Sequence, residues 1–533
     1  MSIQMQGAFD AISLPITAMA CTFIFILYYV TTAVTAWYRL RHFRGPFLAS
    51  FSYLWLFRAA VSEQAYKVHL ATRKHYGTGL VRIGPDILIT DDPQVLQQIN
   101  GVRGGYKKAD WYGVMRLDPF VHSMISTRDV AFHDDEKSRA AAAYSGRDVP
   151  SMEHDLDGQI ENLKSLLRRK YVSTPQQNRP VDWGLLAQYF TVDSLTTMAY
   201  GEAFGGLATD TDVHGYMRSV EENGIAFALC SDVPWMGKIA LTEFVMKLVG
   251  PKKTDKRGMG LIMALGERVV GQRFTPNAKD RPDMLGSFIR RGMSQTQCVA
   301  EILTALIAGS DTTANSIRMG LLLLAATPRV YTRLQREIDE GIMNGTISSP
   351  IKVAEAKALP YLQAFIWESL RFSPPVALLF PKVVPPEGDT IDGKFVPGGT
   401  KIAFDSWSFG RRTDIYGDDA GVFRPERFLD VSGERRLEME KITELLFGFG
   451  RYMCAGKVFA FMELNKIFVE VRKSNISPFL KVVDTDQRQL LRDFDFQVLN
   501  LEKPYAMSQR AMFVIRDMWM RVTERECRGT SSC

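Results

Sequence analysis

The first forty residues contain the longest uncharged apolar segment of the chain. Residues 11–38 carry no charged side chain, and Arg39, Arg41 and Arg44 follow closely. A helix needs about 20 apolar residues to cross the hydrocarbon core of a bilayer, and basic residues beside such a helix favour its cytosolic end. The pattern predicts a transmembrane anchor at 11–38 after a short lumenal segment at 1–10, in preference to a cleaved signal peptide or a buried core helix.

Helical spacing of apolar residues dominates the rest of the chain. Ser294 and Gln297 form a capping-box pattern before a long helix that should end near Thr327, because Pro328 follows. Two short apolar segments at 80–83 and 87–90 flank a Gly-Pro-Asp sequence and predict a hairpin. Further helices are predicted at 93–100, 151–171, 182–200, 261–273 and 328–343. The prediction is a mainly α fold with small β-sheets.

No internal repeat or clear linker divides this helical part of the chain. We therefore expect a basic, proline-containing hinge at 39–50, one large domain at 51–523, and a flexible polar tail at 524–533.

Composition narrows the class of protein. The 533 residues are 46% hydrophobic and 23% charged, which excludes wholesale disorder. The net charge of +6 is small for this length, so a nucleic-acid partner is not expected. A mildly basic surface instead fits anionic lipid or an acidic protein. Six scattered cysteines without disulfide or zinc spacing indicate free thiols in a reducing compartment.

Polar residues interrupt the long helix at 308–313, which reads AGSDTT. A helix-interior glycine such as Gly309 costs about 1 kcal/mol, and the Thr312 hydroxyl can bond a preceding carbonyl and bend the helix. The break could open a groove for a small ligand and a water, with Asp311 and Thr312 as a proton relay. Taken alone, an ordinary polar break is the better interpretation.

A charged pair, Glu368 and Arg371, occupies one face of another apolar helix. Because a lone buried charge is costly, such a pair must find further hydrogen bonds. Arg427, in the sequence FRPERF, is a candidate third partner.

A glycine-rich loop precedes the last predicted helix, 457–472. Residues 447–456 read FGFGRYMCAG. Gly448 and Gly450 permit a tight loop that approaches a neighbour closely. Cys454 falls at the start of the helix, where the dipole and free N–H groups favour a thiolate. This setting favours a metal ligand over an inert core thiol.

The sequences AGSDTT, ESLR, FRPERF and FGFGRYMCAG, in this order, resemble the cytochrome P450 family over roughly residues 45–520. The segments RGPFLASFSYLW and GRYMCAGK are similar to fungal microsomal members of the pisatin-demethylase-like or benzoate-hydroxylase-like group. The resemblance implies the cytochrome P450 fold behind one transmembrane helix. It also implies a haem-thiolate monooxygenase that uses haem b, with the catalytic domain 51–523 on the cytosolic side of the endoplasmic reticulum membrane.

The resemblance also assigns roles to residues. Cys454 would be the axial thiolate on the haem iron, Asp311 and Thr312 would supply protons during dioxygen activation, and Glu368, Arg371 and Arg427 would form a structural triad. The family usually places arginine or histidine where this chain has Tyr452. We therefore expect the haem propionates to be bound jointly by His133, Lys137, Lys382 and Tyr452. The rest of the haem surroundings would be Ala308, Gly309, Phe447, Gly448, Gly450 and Gly456.

The resemblance further implies that NADPH supplies electrons through cytochrome P450 reductase, with cytochrome b5 as an optional second partner. The substrate would be a lipophilic small molecule, for example a fungal secondary metabolite. Its pocket would be lined by parts of 106–127, 204–250, 301–313, 376–380 and 504–507, including Trp111, Phe120, Phe227, Leu306, Leu378 and Phe380.

Two alternatives remain open. One is an enzyme of the same fold that isomerises or dehydrates its substrate without dioxygen. The other is a membrane-tethered haem sensor without turnover. The adjacent Asp311 and Thr312 argue against both, because neither needs a proton relay to oxygen.

Overall fold

The computed structural model describes residues 2–77, 79–469, 494–510 and 512–524, and this part of the chain is mainly helical. The α-helices before residue 275 are α1 (Ser2–Leu40), α2 (Leu54–Val61), α3 (Ala65–Tyr76), α4 (Pro93–Asn100), α5 (Val130–Tyr144), α6 (Met152–Leu166), α7 (Trp183–Tyr200), α8 (Gly206–Thr209), α9 (Tyr216–Asp232), α10 (Pro234–Ala240), α11 (Glu243–Val249) and α12 (Gly258–Gln272). Those that follow are α13 (Met284–Arg290), α14 (Gln295–Ala325), α15 (Pro328–Met343), α16 (Val353–Lys357), α17 (Pro360–Phe372), α18 (Ser406–Phe409), α19 (Thr413–Tyr416), α20 (Gly433–Glu444) and α21 (Lys457–Ile467).

The β-structure is small, as the sequence predicts. The strands are β1 (Val81–Arg82), β2 (Ile87–Thr90), β3 (Lys107–Lys108), β4 (Val181–Asp182), β5 (Lys382–Val383), β6 (Asp389–Ile391), β7 (Lys394–Val396), β8 (Lys401–Phe404), β9 (Phe494–Val498), β10 (Ala506–Gln509), β11 (Phe513–Arg516) and β12 (Trp519–Glu524). They form a five-stranded sheet in the order β1-β2-β8-β5-β3, a three-stranded sheet β4-β12-β9, and two two-stranded ribbons, β6-β7 and β10-β11.

Local sequence signals placed several of these elements correctly. Helices α4 and α15 have the predicted bounds, and β1 and β2 form the predicted antiparallel pair. Helix α6 continues into a π-helical turn, Leu167–Tyr171, which completes the predicted segment 151–171. Helix α21 ends at Ile467, because Phe468 and Val469 form a turn, so the predicted helix 457–472 is too long at its end; residues 470–472 lie outside the described residues. Glu524 ends β12, whereas the rest of the predicted tail also lies outside them.

Helix α14 is the central element of the fold. Ser294 Oγ accepts from the Gln297 N–H and Gln297 Oε1 accepts from the Ser294 N–H, so the predicted capping box is present. The 31 residues span about 46 Å. Helix α14 packs against α7, α12, α17 and α21. Large apolar clusters flank it, one built mainly on α7, α15 and α17 and the other on α12 and α13.

Helix α1 carries the apolar N-terminal segment. Residues Ile16–Leu40 have a mean hydropathy of 1.8, and only 6% of the most apolar window is buried inside the protein. A helix of this length and composition is compatible with a membrane anchor, although an N-terminal signal sequence has the same features. The end of α1 contacts the rest of the fold, because Leu40 and Phe43 are buried against the five-stranded sheet and Arg39 donates to Gly398 O at 2.6 Å.

Candidate haem and substrate site

The cysteine loop is closed by a backbone hydrogen bond and by a tight contact with α4. The Cys454 N–H donates to Phe447 O at 2.7 Å. Gly448 and Gly450 have φ values of +81° and +59°, where other residues are strained. A Cβ on Gly450 would lie 2.7 Å from Asn100 O at the end of α4. The loop therefore requires glycine at both positions, and it places Cys454 directly before α21.

The Cys454 side chain is solvent-exposed, although many protein atoms surround its sulfur. Desolvation by these atoms raises the pKa of the thiol above its ordinary value, and the N–H groups of Gly456 and Lys457 and the Lys137 ammonium oppose that effect. Desolvation thus outweighs the effect of the helix start, which favours a thiolate. A metal cation bound to the sulfur would deprotonate it outright.

Two buried lysines lie side by side near this loop. Strands β3 and β5 are antiparallel, with Lys108 opposite Lys382. Lys108 Nζ donates to the carbonyls of Met124 and Ile125, and Lys382 Nζ donates to the Tyr112 hydroxyl at 2.6 Å. Burial lowers the pKa of each lysine to about 7.

The Tyr452 ring is the common neighbour of these cations. Lys108 Nζ and Lys382 Nζ lie 5.3 and 4.8 Å from its centroid, and the His133 ring lies 5.1 Å from it. Burial lowers the pKa of His133 to about 4, so the imidazole is neutral at pH 7. Lys137 Nζ donates to the carbonyls of Arg451 and Met453 in the same loop.

The structure thus brings together His133, Lys137, Lys382 and Tyr452, which the sequence analysis grouped by resemblance. It adds Lys108, which belongs to none of the recognised motifs. The only sequence signal for Lys108 was a pair of lysines within a segment otherwise assigned to the pocket.

This basic cluster (Lys108, Lys137, Lys382, His133 and Tyr452) fits an anionic group. Within the described ranges, no carboxylate forms an ion pair with any of its three lysines. Buried cations without an anionic partner are costly. A group with two carboxylates and a metal that binds a thiolate would compensate both the lysines and Cys454. Haem b has this combination, so the residues present fit it.

Neighbouring residues in one turn of helix α14 face different parts of the fold, some the main cavity and others α7. Ala308 lines the main cavity, and the Thr312 hydroxyl donates to Ala308 O at 2.8 Å. A Cβ on Gly309 would lie 3.1 Å from Leu195 of α7, so Gly309 allows the two helices to approach closely. The expected place of Gly309 in the haem surroundings beside Ala308 stays a prediction.

Asp311 also faces α7. Its Oδ1 accepts from Gln188 Nε2, and Arg318 donates to Gln188 Oε1 and Gly184 O, each at 2.8 Å. Burial raises the pKa of Asp311 to about 6, although Arg318 and Gln188 oppose that shift. Among the contacts of the described residues, none joins Asp311 to Thr312. A relay through both would require the Asp311 side chain to turn.

Glu368, Arg371 and Arg427 form one fully buried ionic cluster. Arg371 donates to both Glu368 oxygens at 2.7 Å, and Arg427 Nε donates to them at 3.0 and 3.1 Å. The other guanidinium N–H groups donate to carbonyls, including Ala420 O and Val422 O, and Arg427 Nη1 also donates to the partly exposed Asp419 carboxylate at 2.7 Å. The cluster joins α17 to the segment around residues 410–428.

The main cavity lies between α9, α14 and the segment that precedes α5. Its empty volume is about 660 Å³, which includes open solvent at its mouth. Its lining residues are Met115, Leu117, Ile125, Val220, Asn223, Gly224, Phe227, Met259, Thr304, Ile307, Ala308, Leu378 and Met512.

The sequence predicts only part of this lining. Of the six aromatic and aliphatic residues named for the pocket, Phe227 and Leu378 line the cavity. Trp111 and Phe380 pack in the apolar cluster that contains both of these residues, Leu306 packs in the cluster on α12 and α13, and Phe120 is exposed. Met259 and Met512 lie outside the predicted segments, and no motif marks either residue.

The chain belongs to the cytochrome P450 family. The family profile described as cytochrome P450 matches residues 89–506, and the predicted fold class is confirmed. The heme domain of cytochrome P450DA superposes with a TM-score of 0.68 over 87% of this chain and 94% of that chain, at 16% identity. Family membership makes the protein a monooxygenase of the oxidoreductase class, and the family binds haem through a cysteine thiolate.

Curated fungal relatives span almost the whole chain. Cytochrome P450 monooxygenase ABA1 of Pyricularia oryzae is 42% identical over 94% of this chain and 95% of its own length. Cytochrome P450 monooxygenase aba1 of Botryotinia fuckeliana is 42% identical over 91% and 92%. Cytochrome P450 monooxygenase abl1 of Leptosphaeria maculans is 37% identical over 97% and 90%.

The buried ionic cluster gives a matched stability test. Glu368→Gln would leave the fully buried Arg371 without its counter-charge and Arg427 with the partly exposed Asp419 instead, and we expect a loss of about 3 kcal/mol in the free energy of unfolding together with a loss of haem content. The control is Glu438→Gln, which removes the exposed pair with Arg435 and should change neither quantity measurably. Urea unfolding and haem absorbance measure the two effects. Equal stability of both variants would contradict a structural role for Glu368.

The raised pKa of Asp311 predicts a specific pH dependence of stability. Because the folded-state pKa of about 6 exceeds the ordinary value, folding favours the protonated carboxyl, and this stability declines as the pH rises through 6. The free energy of unfolding of the wild type, relative to Asp311→Asn, should fall by about 1 kcal/mol between pH 5 and pH 7. Denaturant titrations at both pH values measure it. Parallel pH profiles would show that Asp311 is not held in its protonated form.

Proposed function

We propose that this monooxygenase inserts one oxygen atom from dioxygen into a lipophilic small molecule of fungal secondary metabolism. The observation that carries the proposal is the joint placement of three features: a thiol on a glycine-closed loop, a buried basic cluster beside it, and an apolar cavity bounded by Ala308 of α14. The fungal relatives named as monooxygenases support the same reaction.

In this proposal the residues of the site hold and orient haem b. Cys454 would bind the iron, and the basic cluster would bind the propionates. Bound haem supplies the redox chemistry of dioxygen activation. The Thr312 hydroxyl donates to Ala308 O in this structure, so it would have to rotate away from that carbonyl to pass its proton into the cavity. Asp311, whose pKa of about 6 keeps part of it protonated near neutral pH, would replenish that proton after turning away from Gln188.

Electrons would come from NADPH through cytochrome P450 reductase, with cytochrome b5 as an optional second donor. The mildly basic chain suits an acidic partner. The protein would be anchored in the endoplasmic reticulum membrane by α1, with residues 51–523 in the cytosol. Exposed apolar side chains on α10 and α11, such as Trp235, Phe244 and Leu248, support additional contact with lipid.

One observation favours the alternative of an isomerase or dehydratase that does not use dioxygen. Asp311 is bonded to Gln188 rather than placed beside Thr312, so the relay is not assembled in this structure. The monooxygenase names of the fungal relatives weigh against that alternative.

Oxygen labelling in the producing fungus tests the proposed reaction. A strain without the gene is compared with strains complemented by the wild type and by Cys454→Ala, all grown under ¹⁸O₂. A metabolite restored only by the wild type should carry one ¹⁸O atom absent from its precursor, because the second atom leaves as water. A restored metabolite without label would support the isomerase or dehydratase. Identical metabolite profiles in all strains would support the haem sensor.

Removal of the anchor tests the membrane assignment. A chain lacking residues 2–38 should be released from microsomes by alkaline carbonate, whereas the full chain should remain in the pellet. The apolar side chains on α10 and α11 should still give loose binding at neutral pH. Immunoblots of supernatant and pellet report the distribution. Carbonate-resistant pelleting of the shortened chain would show that α1 is not the membrane anchor.

A further inference from the structure

The main cavity contains no group that could compensate a charge. In the described part of the chain, its lining includes no aspartate, glutamate, lysine, arginine or histidine. Its only side chains with hydrogen-bonding groups are Asn223 on α9 and Thr304 on α14. Transfer of an ionised group into an apolar site without a partner is strongly unfavourable. An occupant with a carboxylate or an ammonium group would therefore be excluded in favour of a neutral one.

The two polar side chains both present acceptors to the cavity. The Thr304 hydroxyl donates its only proton to Ala300 O at 2.7 Å, so Thr304 Oγ1 can only accept a further hydrogen bond. Asn223 Nδ2 donates to Ser219 O at 2.8 Å within α9, which leaves the amide oxygen and one N–H of this exposed residue free to bond an occupant. An occupant that covers the half-buried Thr304 Oγ1 without donating to it would leave a desolvated acceptor, which is unfavourable. The complementary occupant therefore carries a hydrogen-bond donor.

The helical register fixes where this donor would lie. Thr304, Ala308 and Thr312 are spaced by four residues and share one face of α14. Thr304 is about 6 Å along the helix from Ala308 and about 12 Å from Thr312. A group bound at Thr304 is thus well separated from the part of the cavity where Thr312 would act.

We infer, on the basis of the proposed monooxygenase function, that the substrate is an uncharged lipophile with a hydroxyl group remote from the carbon that is oxidised. The hydroxyl donates to Thr304 Oγ1, and Asn223 provides the second acceptor. These two residues then determine substrate specificity, and carboxylic acids and amines of the same shape are poor substrates.

Binding of three matched probes to the full-length holoprotein tests this inference. The probes are 1-decanol, its methyl ether and decanoate. Equilibrium dialysis measures affinity, and the spin-state change of the haem reports approach to the iron. We expect 1-decanol to bind about 5-fold more tightly than the more lipophilic ether, because only the alcohol can donate. Decanoate should bind at least about 10-fold more weakly than the alcohol.

Three variants assign these preferences to residues. Thr304→Val should abolish the difference between alcohol and ether while the ether affinity stays unchanged. Thr296→Val makes the same chemical change at an exposed position of α14 and should preserve the difference. Asn223→Lys should raise the affinity for decanoate about 10-fold by supplying a counter-charge.

Several results would overturn the inference. They are equal affinity for alcohol and ether in the wild type, tightest binding of decanoate, or an undiminished alcohol preference in Thr304→Val. Dialysis does not depend on turnover or on the haem spectrum. If the probes show the expected ranking but the product carries no ¹⁸O, the inferred substrate class is retained and the monooxygenase reaction is rejected. If the product carries ¹⁸O but the probes do not show the expected ranking, the monooxygenase reaction is retained and the inferred substrate class is rejected.

Discussion

The fold is organised by the requirement that a buried charge must have a partner. Glu368 satisfies it within the protein, because two guanidinium groups surround its carboxylate, while carbonyls and the Asp419 carboxylate accept their other protons. The basic cluster does not, since Lys108 and Lys382 are buried opposite each other with only carbonyl and hydroxyl acceptors. The surroundings of the exposed Cys454 likewise disfavour its charged form. The first arrangement links α17 to the segment around residues 410–428, whereas the second fits a ligand that brings anions and a metal.

One face of helix α14 lines the cavity, and another packs against α7. Thr304, Ile307 and Ala308 line the cavity, and Gly309 and Asp311 face α7. The glycine brings α7 close, and the carboxyl enters a network with Gln188 and Arg318. The position of the cavity wall therefore depends on the α7 interface. Substitutions in that interface should change the shape of the cavity although the replaced residues do not line it.

The sequence predicted those features that local signals determine. Helix α15 begins at Pro328, the capping box begins α14, and the glycine loop precedes α21, because each depends on residues a few positions apart. The directions of Asp311 and Thr312 were not predictable in this way. Adjacent helical residues differ by about 100° around the axis, and the packing of α7 decides which one faces inward. Lys108 was missed because its position depends on strand register with the distant Lys382.

The central claim is that Cys454 binds the haem iron as a thiolate beside the basic cluster. The most direct measurement is the absorption spectrum of the reduced, carbon monoxide-bound holoprotein. We expect the strongly red-shifted Soret band of thiolate-ligated haem in the wild type and its absence from Cys454→Ala. A wild-type band at the position found for histidine-ligated haem, or an unchanged band in Cys454→Ala, would contradict it.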